Sequence, residues 1–149
     1  MLLPRACDWA AEQERTILQS GIALTEPQLV DAQRIGVSQP ERVRLLRVAQ
    51  IPKPTDLVLA AAAAATGLIS RNTIGLTFRY GIFIRADWWG QRPVVVHELV
   101  HTRQYERLCG FEAFLRPYLL ECLTPPGYPH GPMEREAITT SERLCALNT

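Results

Sequence analysis

The segment that decides the fold of this chain is a helix-like stretch, residues 94–110, which reads VVVHELVHTRQYERLCG. Pro93 suits the start of a helix, because proline is tolerated in the first turn, and Gly110 suits its end. His97 and His101 lie four residues apart, so a helix carries both imidazoles on one face, one turn above the other. The spacing predicts a helix with two histidines that can reach the same ion.

The residues between the histidines complete the pattern H-E-x-x-H, which has a definite chemistry. Zinc accepts neutral imidazole nitrogen, and a catalytic zinc site keeps one position open for water. Glu98 is rotated by about 100° from His97 around the helix, so it can stand beside the ion and take a proton from that water. Because the chain has only 3 histidines in 149 residues, chance placement gives about 0.004 such patterns. The sequence therefore predicts His97 and His101 as metal ligands and Glu98 as a general base.

A tetrahedral site with two histidines needs a third protein ligand. The metzincin pattern HExxHxxGxxH is not met, because Gln104 and Arg107 occupy its glycine and third histidine positions. Candidates follow farther along the chain: Glu134 and Glu136 in PMEREAI, and His130 in the loop before it. Residues two apart point about 200° around a helix, so the two glutamates cannot both bind the ion. The residues alone leave this choice open.

Two matching segments, HELVH at 97–101 and EREA at 134–137, resemble the gluzincin class of zinc metallopeptidases. The stretch HELVHTRQYERLCG is also similar to small bacterial zincin-like proteins, and the likeness as a whole covers residues 75–140. It implies a zincin-like fold, a zinc ion, a peptide or protein substrate, and Glu134 as the third ligand. In several members this glutamate begins an E-x-x-A-D pattern. Ile138 replaces the Asp, so the usual contact to a zinc histidine is expected to be missing or supplied elsewhere.

The resemblance also implies a substrate-binding strand and a donor for the transition-state oxyanion. Peptidases of this class bind the substrate backbone along an edge strand, and GIFIRAD, residues 81–87, is the candidate. Tyr128, Tyr105 and Tyr118 are candidate donors, and we take Tyr128, in the proline-rich loop, as the catalytic one. Gln104 and Tyr105 lie on the same helix stripe as the histidines and are expected to line or floor the site.

The flanking segments predict an α+β fold in which a small antiparallel sheet packs on the HExxH helix, with further helices around it. Asp8, Thr25 and Asp56 are placed to cap three helices. A kink or restart is expected near Pro117, and a strand pair or one bent strand around Gly81. The expected helices cover residues 9–21, 26–36, 57–69, 111–123 and 133–147, and the expected strands cover residues 42–51 and 75–87.

Length, charge and cysteine spacing bound the class of protein. We expect a single domain over residues 1–149, with an N-terminal helical part at 1–41 and a zincin-like core at 42–149. The net charge of +1 gives no reason to expect nucleic acid or an acidic membrane surface as a partner. None of the four cysteines forms a C-x-x-C pair, so a cysteine-based metal site is not indicated. The uncharged segment at 57–69 is too short to span a bilayer, and no signal peptide is recognisable, so a cytoplasmic location is expected.

Two functions follow from these expectations. The leading one is a zinc-dependent hydrolase, a metallopeptidase in which His97, His101 and Glu134 hold zinc, Glu98 activates water, and Tyr128 assists. The alternative is a catalytically inactive zincin-like binding module that acts with a partner protein. A weaker third possibility is a structural domain in which the motif is accidental. The sequence does not indicate the substrate or the oligomeric state.

Overall fold

The computed structural model describes residues 2–146; Met1 and residues 147–149, which include the end of the last expected helix, lie outside the described part. Within it the chain forms an α+β fold of helices around a small sheet, as expected for the fold class. The helices are α1 (Leu2–Ser20), α2 (Glu26–Ile35), α3 (Leu57–Thr66), α4 (Arg92–Leu108), α5 (Phe111–Leu123) and α6 (Pro132–Ala146). The strands are β1 (Ile22–Ala23), β2 (Arg44–Val48), β3 (Gly75–Phe78) and β4 (Gly81–Arg85).

The sheet is mixed, which corrects the expectation of an antiparallel sheet. Its strand order is β1-β2-β4-β3; β2 and β4 run parallel, whereas the pairs β1–β2 and β3–β4 are antiparallel. The chain between β2 and β4 contains α3 and β3, so it is long enough to return and enter the sheet in the same direction. The hairpin of β3 and β4 is the strand pair that the sequence allowed at residues 75–87.

The strand expected to bind substrate, β4, lies inside the sheet. It pairs with β2 on one side and with β3 on the other, so its backbone groups are used by the sheet itself. The expectation that residues 81–87 form an edge strand is therefore wrong. The edge belongs to β3, at residues 75–78, whose paired strand within the described residues is β4.

Helices cover both faces of the sheet. Ile82 and Ile84 face a core shared with α2, α4 and α6, whereas Phe83 faces a second core shared with α1, α3 and α5. A Cβ atom at Gly81 would lie 3.0 Å from Cβ of Ile17, so Gly81 is required for the close approach of α1 to the sheet. Because α1 packs on this sheet and α2 packs on α4, the N-terminal part contributes to both cores. The division between residues 41 and 42 stays a prediction.

The starts of three helices test the predicted caps. Thr25 caps α2 in a capping box with Gln28, and Asp56 accepts hydrogen bonds from two backbone N–H groups at the start of α3, so both predictions are confirmed. Asp8 is not a cap, because α1 already includes it. The apolar stripe that holds α1 in the core starts earlier, at Ala6, and it carries the helix past the polar residue.

Two other helices differ in detail from their predictions, and the first of them, α3, ends at Thr66 instead of residue 69. In α3 the residue that is buried is Leu59, while Leu57 is 85% exposed, so the alanine-rich helix is packed on one side only. α5 continues through Pro117 as one helix, without a restart. Among residues 2–146, no helix combines the length and the apolar character needed to cross a membrane.

Candidate metal centre

His97 and His101 lie on one face of α4, near the middle of the helix. α4 has Pro93 in its first turn and ends where Cys109 adopts the left-handed conformation, with φ of 66°, one residue before the predicted stop at Gly110. The side chain of His97 is 23% exposed and that of His101 is 6% exposed. The centroids of the two imidazoles are 5.2 Å apart. The helix thus presents both rings to the same small region.

Glu134 meets both histidines from the first turn of α6, which packs along α4. Its Oε1 lies 3.0 Å from Nε2 of His97, and its Oε2 lies 2.9 Å from Nε2 of His101. The carboxylate of Glu136 instead contacts other side chains of α4, and His130 is exposed in the preceding loop and does not belong to the cluster. Of the three candidates left open by the sequence, Glu134 is the one that the fold brings to the imidazoles.

The donors in this cluster fit zinc. One ligand atom from each of His97, His101 and Glu134 can be chosen so that all three atoms lie within 4.8 Å of one another. Two imidazole nitrogens and one carboxylate oxygen are a ligand set of catalytic zinc. With zinc–ligand bonds of about 2.1 Å, tetrahedral donor atoms stand about 3.4 Å apart. The two N–O distances of 3.0 and 2.9 Å would therefore have to open by about 0.5 Å to admit the ion.

Without a metal, protons and hydrogen bonds hold the cluster together. Burial by itself lowers the pKa of His101, but the hydrogen bond to Glu134 and the charge of that carboxylate outweigh burial and raise this pKa to about 9. Burial would raise the pKa of Glu134, yet its hydrogen bonds to His101 and His97 hold that pKa well below the usual range of a glutamate. The metal-free cluster is therefore an imidazolium–carboxylate pair, and a metal ion bound at Nε2 of His101 would displace its proton.

Gln104 orients His101 from one turn farther along α4. Its Oε1 lies 2.8 Å from Nδ1 of His101, while its Nε2 donates to the backbone oxygen of Met133 and to Glu136, at 3.0 and 2.6 Å. These two acceptors fix the amide so that its oxygen faces the imidazole, and Nδ1 carries the proton. In the neutral ring, Nε2 then has a free lone pair for a metal. Ile138, at the position of the Asp in the E-x-x-A-D pattern, is 37% exposed, and the side chain that contacts Nδ1 of His101 is Gln104.

The carboxylate of Glu98 is held by the edge strand β3. The hydroxyl of Thr77 lies 2.7 Å from Oε1 of Glu98 and 3.1 Å from its backbone oxygen. A Cβ atom at Gly75 would lie only 2.9 Å from Oε2 of Glu98, so the carboxylate occupies space that any larger residue would take. The sequence did not single out Thr77 or Gly75, because the only available signal was their alternation along a strand some twenty residues before the helix.

The three candidate tyrosines have different surroundings. The hydroxyl of Tyr118 donates to Oε2 of Glu134 at 2.7 Å, so it supports the carboxylate. Tyr105 is 1% exposed and stacks on Phe114 with ring centroids 3.6 Å apart, which makes it a core residue at the floor of the site. Tyr128 is half-buried and lines the same cleft as the histidines; burial, followed by the charges of nearby carboxylates, raises its pKa. Its catalytic role stays a prediction.

Comparisons of the chain with family models, with curated proteins and with solved structures found no match.

Proposed function

We propose that the chain is a zinc-dependent hydrolase that cleaves peptide bonds. The observation that carries this proposal is the convergence of Glu134 on His97 and His101, with its two oxygens 3.0 and 2.9 Å from their Nε2 atoms. Two histidines one turn apart with a carboxylate from a second helix are the donor set of a catalytic zinc. The resemblance to gluzincins, which rests on HELVH and EREA, points to the same ligands.

Each residue of the centre has a task in this reaction. A bound zinc lowers the pKa of its water to about 7 and polarises a carbonyl group. Glu98 accepts the proton of the attacking water and passes it to the leaving amine. Thr77 holds the Glu98 carboxylate on the side of the cleft. Tyr128, which borders the cleft, is the candidate donor to the oxyanion.

The edge strand β3 is the candidate for binding the substrate backbone. It borders the cleft over its whole length, and Gly75 and Thr77 touch the carboxylate of Glu98. An extended peptide added to the edge of β3 would thus lie beside the general base. The sequence had suggested residues 81–87 as the strand that binds the substrate backbone, but that strand lies inside the sheet.

The decisive experiment separates metal binding from hydrolysis. Purified protein should contain zinc in a one-to-one ratio by elemental analysis and should cleave members of a mixed peptide library, as read by mass spectrometry. Glu98→Gln should keep the zinc and abolish cleavage, and Glu134→Ala should lose the zinc. Glu142→Gln, at an exposed position of α6, is the matched control and should change neither property.

Two other outcomes would count against this proposal. Protein without stoichiometric zinc, even after incubation with zinc and dialysis, would overturn the metal site. Protein that holds zinc but cleaves no peptide would favour the alternative, a binding module that acts with a partner protein. The broad exposed apolar surface of α3, where Leu57 is 85% exposed, is the feature that favours this second candidate.

A further inference from the structure

The residues of the candidate metal centre line a cleft whose other walls are mainly apolar. The cleft has a volume of about 100 Å³, on the scale of one large apolar side chain, and its lining includes His97, Glu98, His101 and Glu134. Away from these residues its walls come mainly from α1, α3, the loop after α3, β3 and α5. Representative wall residues are Trp9, Leu59, Ile69, Phe78 and Leu115. The candidate reacting centre and the apolar space are thus parts of one cleft.

The charges around this cleft are confined to the metal centre. Among the described residues that line it, the histidines and acidic groups are those of the centre itself, and the remaining wall carries no lysine, arginine or aspartate. The hydroxyl of Thr66, which also lines the cleft, donates back to the oxygen of Ala62 in its own helix. A charged side chain placed there would lose its hydration without finding an opposite charge, whereas an apolar one loses nothing.

Small residues on α3 create the space. The side of this helix that lines the cleft consists of Leu59, Ala62, Ala63 and Thr66, which follow the i, i+3, i+4, i+7 spacing of one helical face. Two alanines at the centre of this stripe leave room that leucine or phenylalanine would fill. The alanines of α3 thus shape part of the wall of the cleft.

We propose that this cleft receives a large apolar side chain, aromatic or branched aliphatic, of the substrate residue next to the scissile bond. This inference rests on the proposed peptidase function, and it names the substrate class. An extended substrate paired with β3 would direct alternate side chains to one side. Since β3 borders both Glu98 and the apolar space, one such side chain enters the cleft while the adjoining peptide bond lies at the general base.

The test compares side chains in binding, so it does not depend on turnover. The probes are the N-acetyl amides of phenylalanine, leucine, alanine, lysine and glutamate, titrated by NMR into zinc-loaded Glu98→Gln protein. Burial of a full apolar side chain predicts that the phenylalanine and leucine probes bind about 10-fold or more tightly than the lysine and glutamate probes. The alanine probe should fall between these two groups.

A variant that introduces a positive charge into the wall tests whether the probes bind in this cleft. Ala62→Lys puts an amine into the wall, so it should weaken the phenylalanine probe about 10-fold or more and make glutamate the preferred probe over lysine. Ala64→Lys is the matched control, since position 64 is exposed on the same helix and does not line the cleft. It should leave all five affinities unchanged.

The outcomes separate this inference from the proposed function. Loss of stoichiometric zinc from the wild-type protein overturns the hydrolase. Zinc-loaded protein that binds the phenylalanine and lysine probes equally overturns the apolar specificity alone. If circular dichroism shows that Ala62→Lys is unfolded, the relative affinities of the five probes for the Glu98→Gln protein still decide whether the cleft prefers apolar side chains. With an active enzyme, cleavage sites in a peptide library that show no enrichment of large apolar residues beside the cut would also overturn it.

Discussion

Zinc affinity should fall by about 100-fold when the pH is lowered from about 8 to about 6, because zinc and a proton compete for Nε2 of His101. In the metal-free cluster this nitrogen lies 2.9 Å from Oε2 of Glu134, and Nδ1 lies 2.8 Å from Oε1 of Gln104. Both ring nitrogens therefore face oxygen acceptors, which favours the imidazolium. The carboxylate and the amide outweigh burial and raise the pKa of His101 to about 9.

The magnitude follows from the displacement of one proton. Below a pKa of about 9, each pH unit changes the apparent dissociation constant by about tenfold when one proton leaves as the metal binds. Competition titrations with a fluorescent zinc chelator give the dissociation constant at each pH. Calorimetry in two buffers with different ionisation enthalpies counts the protons, and about one should be released near pH 8.

The same proton should stabilise the metal-free fold over a defined pH range. The pKa of His101 is raised above its unfolded value of about 6.5, so this contribution is complete below about pH 6.5 and is lost as the pH rises through about 9. A shift of this size corresponds to about 3 kcal/mol. Urea unfolding of the metal-free protein should show a loss of this order between these two pH values. Glu134→Gln removes the charge partner and should show much less of it.

Two results would refute this reasoning. A zinc affinity that does not change between about pH 6 and about pH 8, with no release of protons, would mean that His101 is neutral in the metal-free protein. A free energy of unfolding of the metal-free protein that is the same at about pH 6.5 and about pH 9 would also mean that His101 is neutral. Either result would leave the imidazolium–carboxylate pair without support, although the ligand set itself could still hold.

Three substitutions test the residues that position the ligands and the base. Thr77→Val removes the hydroxyl beside Oε1 of Glu98, so kcat on a peptide substrate should fall about tenfold while zinc content and KM stay the same. Gly75→Ala would put a Cβ 2.9 Å from Oε2 of Glu98, and the displaced carboxylate should cost about 100-fold in kcat with zinc retained by elemental analysis. Gln104→Ala leaves Nδ1 of His101 without its acceptor and should weaken zinc binding about 10- to 100-fold in the chelator assay. An unchanged kcat in the first two variants, or an unchanged affinity in the third, would exclude the corresponding role.

Local signals in the sequence predicted the parts of the fold that depend on neighbouring residues. Thr25 and Asp56 cap helices because a side-chain oxygen meets a backbone N–H two or three residues later, and this is visible in the sequence. The spacing of His97 and His101 likewise requires only helical geometry. The start of α1 was missed because Asp8 resembles a cap, whereas apolar residues before it, Leu3 and Ala6, pack in the second core and belong to the helix.

Contacts between distant segments could not be predicted in this way. The parallel pairing of β2 with β4 depends on how the chain between them packs, and it moved β4 from the edge to the inside of the sheet. The same pairing left β3 at the edge, where Gly75 and Thr77 reach Glu98. Glu134 was preferred over Glu136 only through a family resemblance. The reason for that preference is the register of α6 against α4, which turns Glu136 toward Gln104 instead.

The proposed metal ligands and the proposed general base are held by separate parts of the fold. Gln104 is 0% exposed and bonds at one end to His101 and at the other to the backbone of Met133, next to Glu134, so it ties two ligands together across α4 and α6. Glu98 lies on α4 but is oriented by β3, which makes no part of the ligand set. Because the two supports share no side chain, disturbing one should leave the other intact. Loss of the Gln104 amide should therefore reduce zinc affinity, whereas loss of the β3 contacts should reduce kcat with the metal still bound. In a double variant, each of these two losses should have the same size as in the single variant.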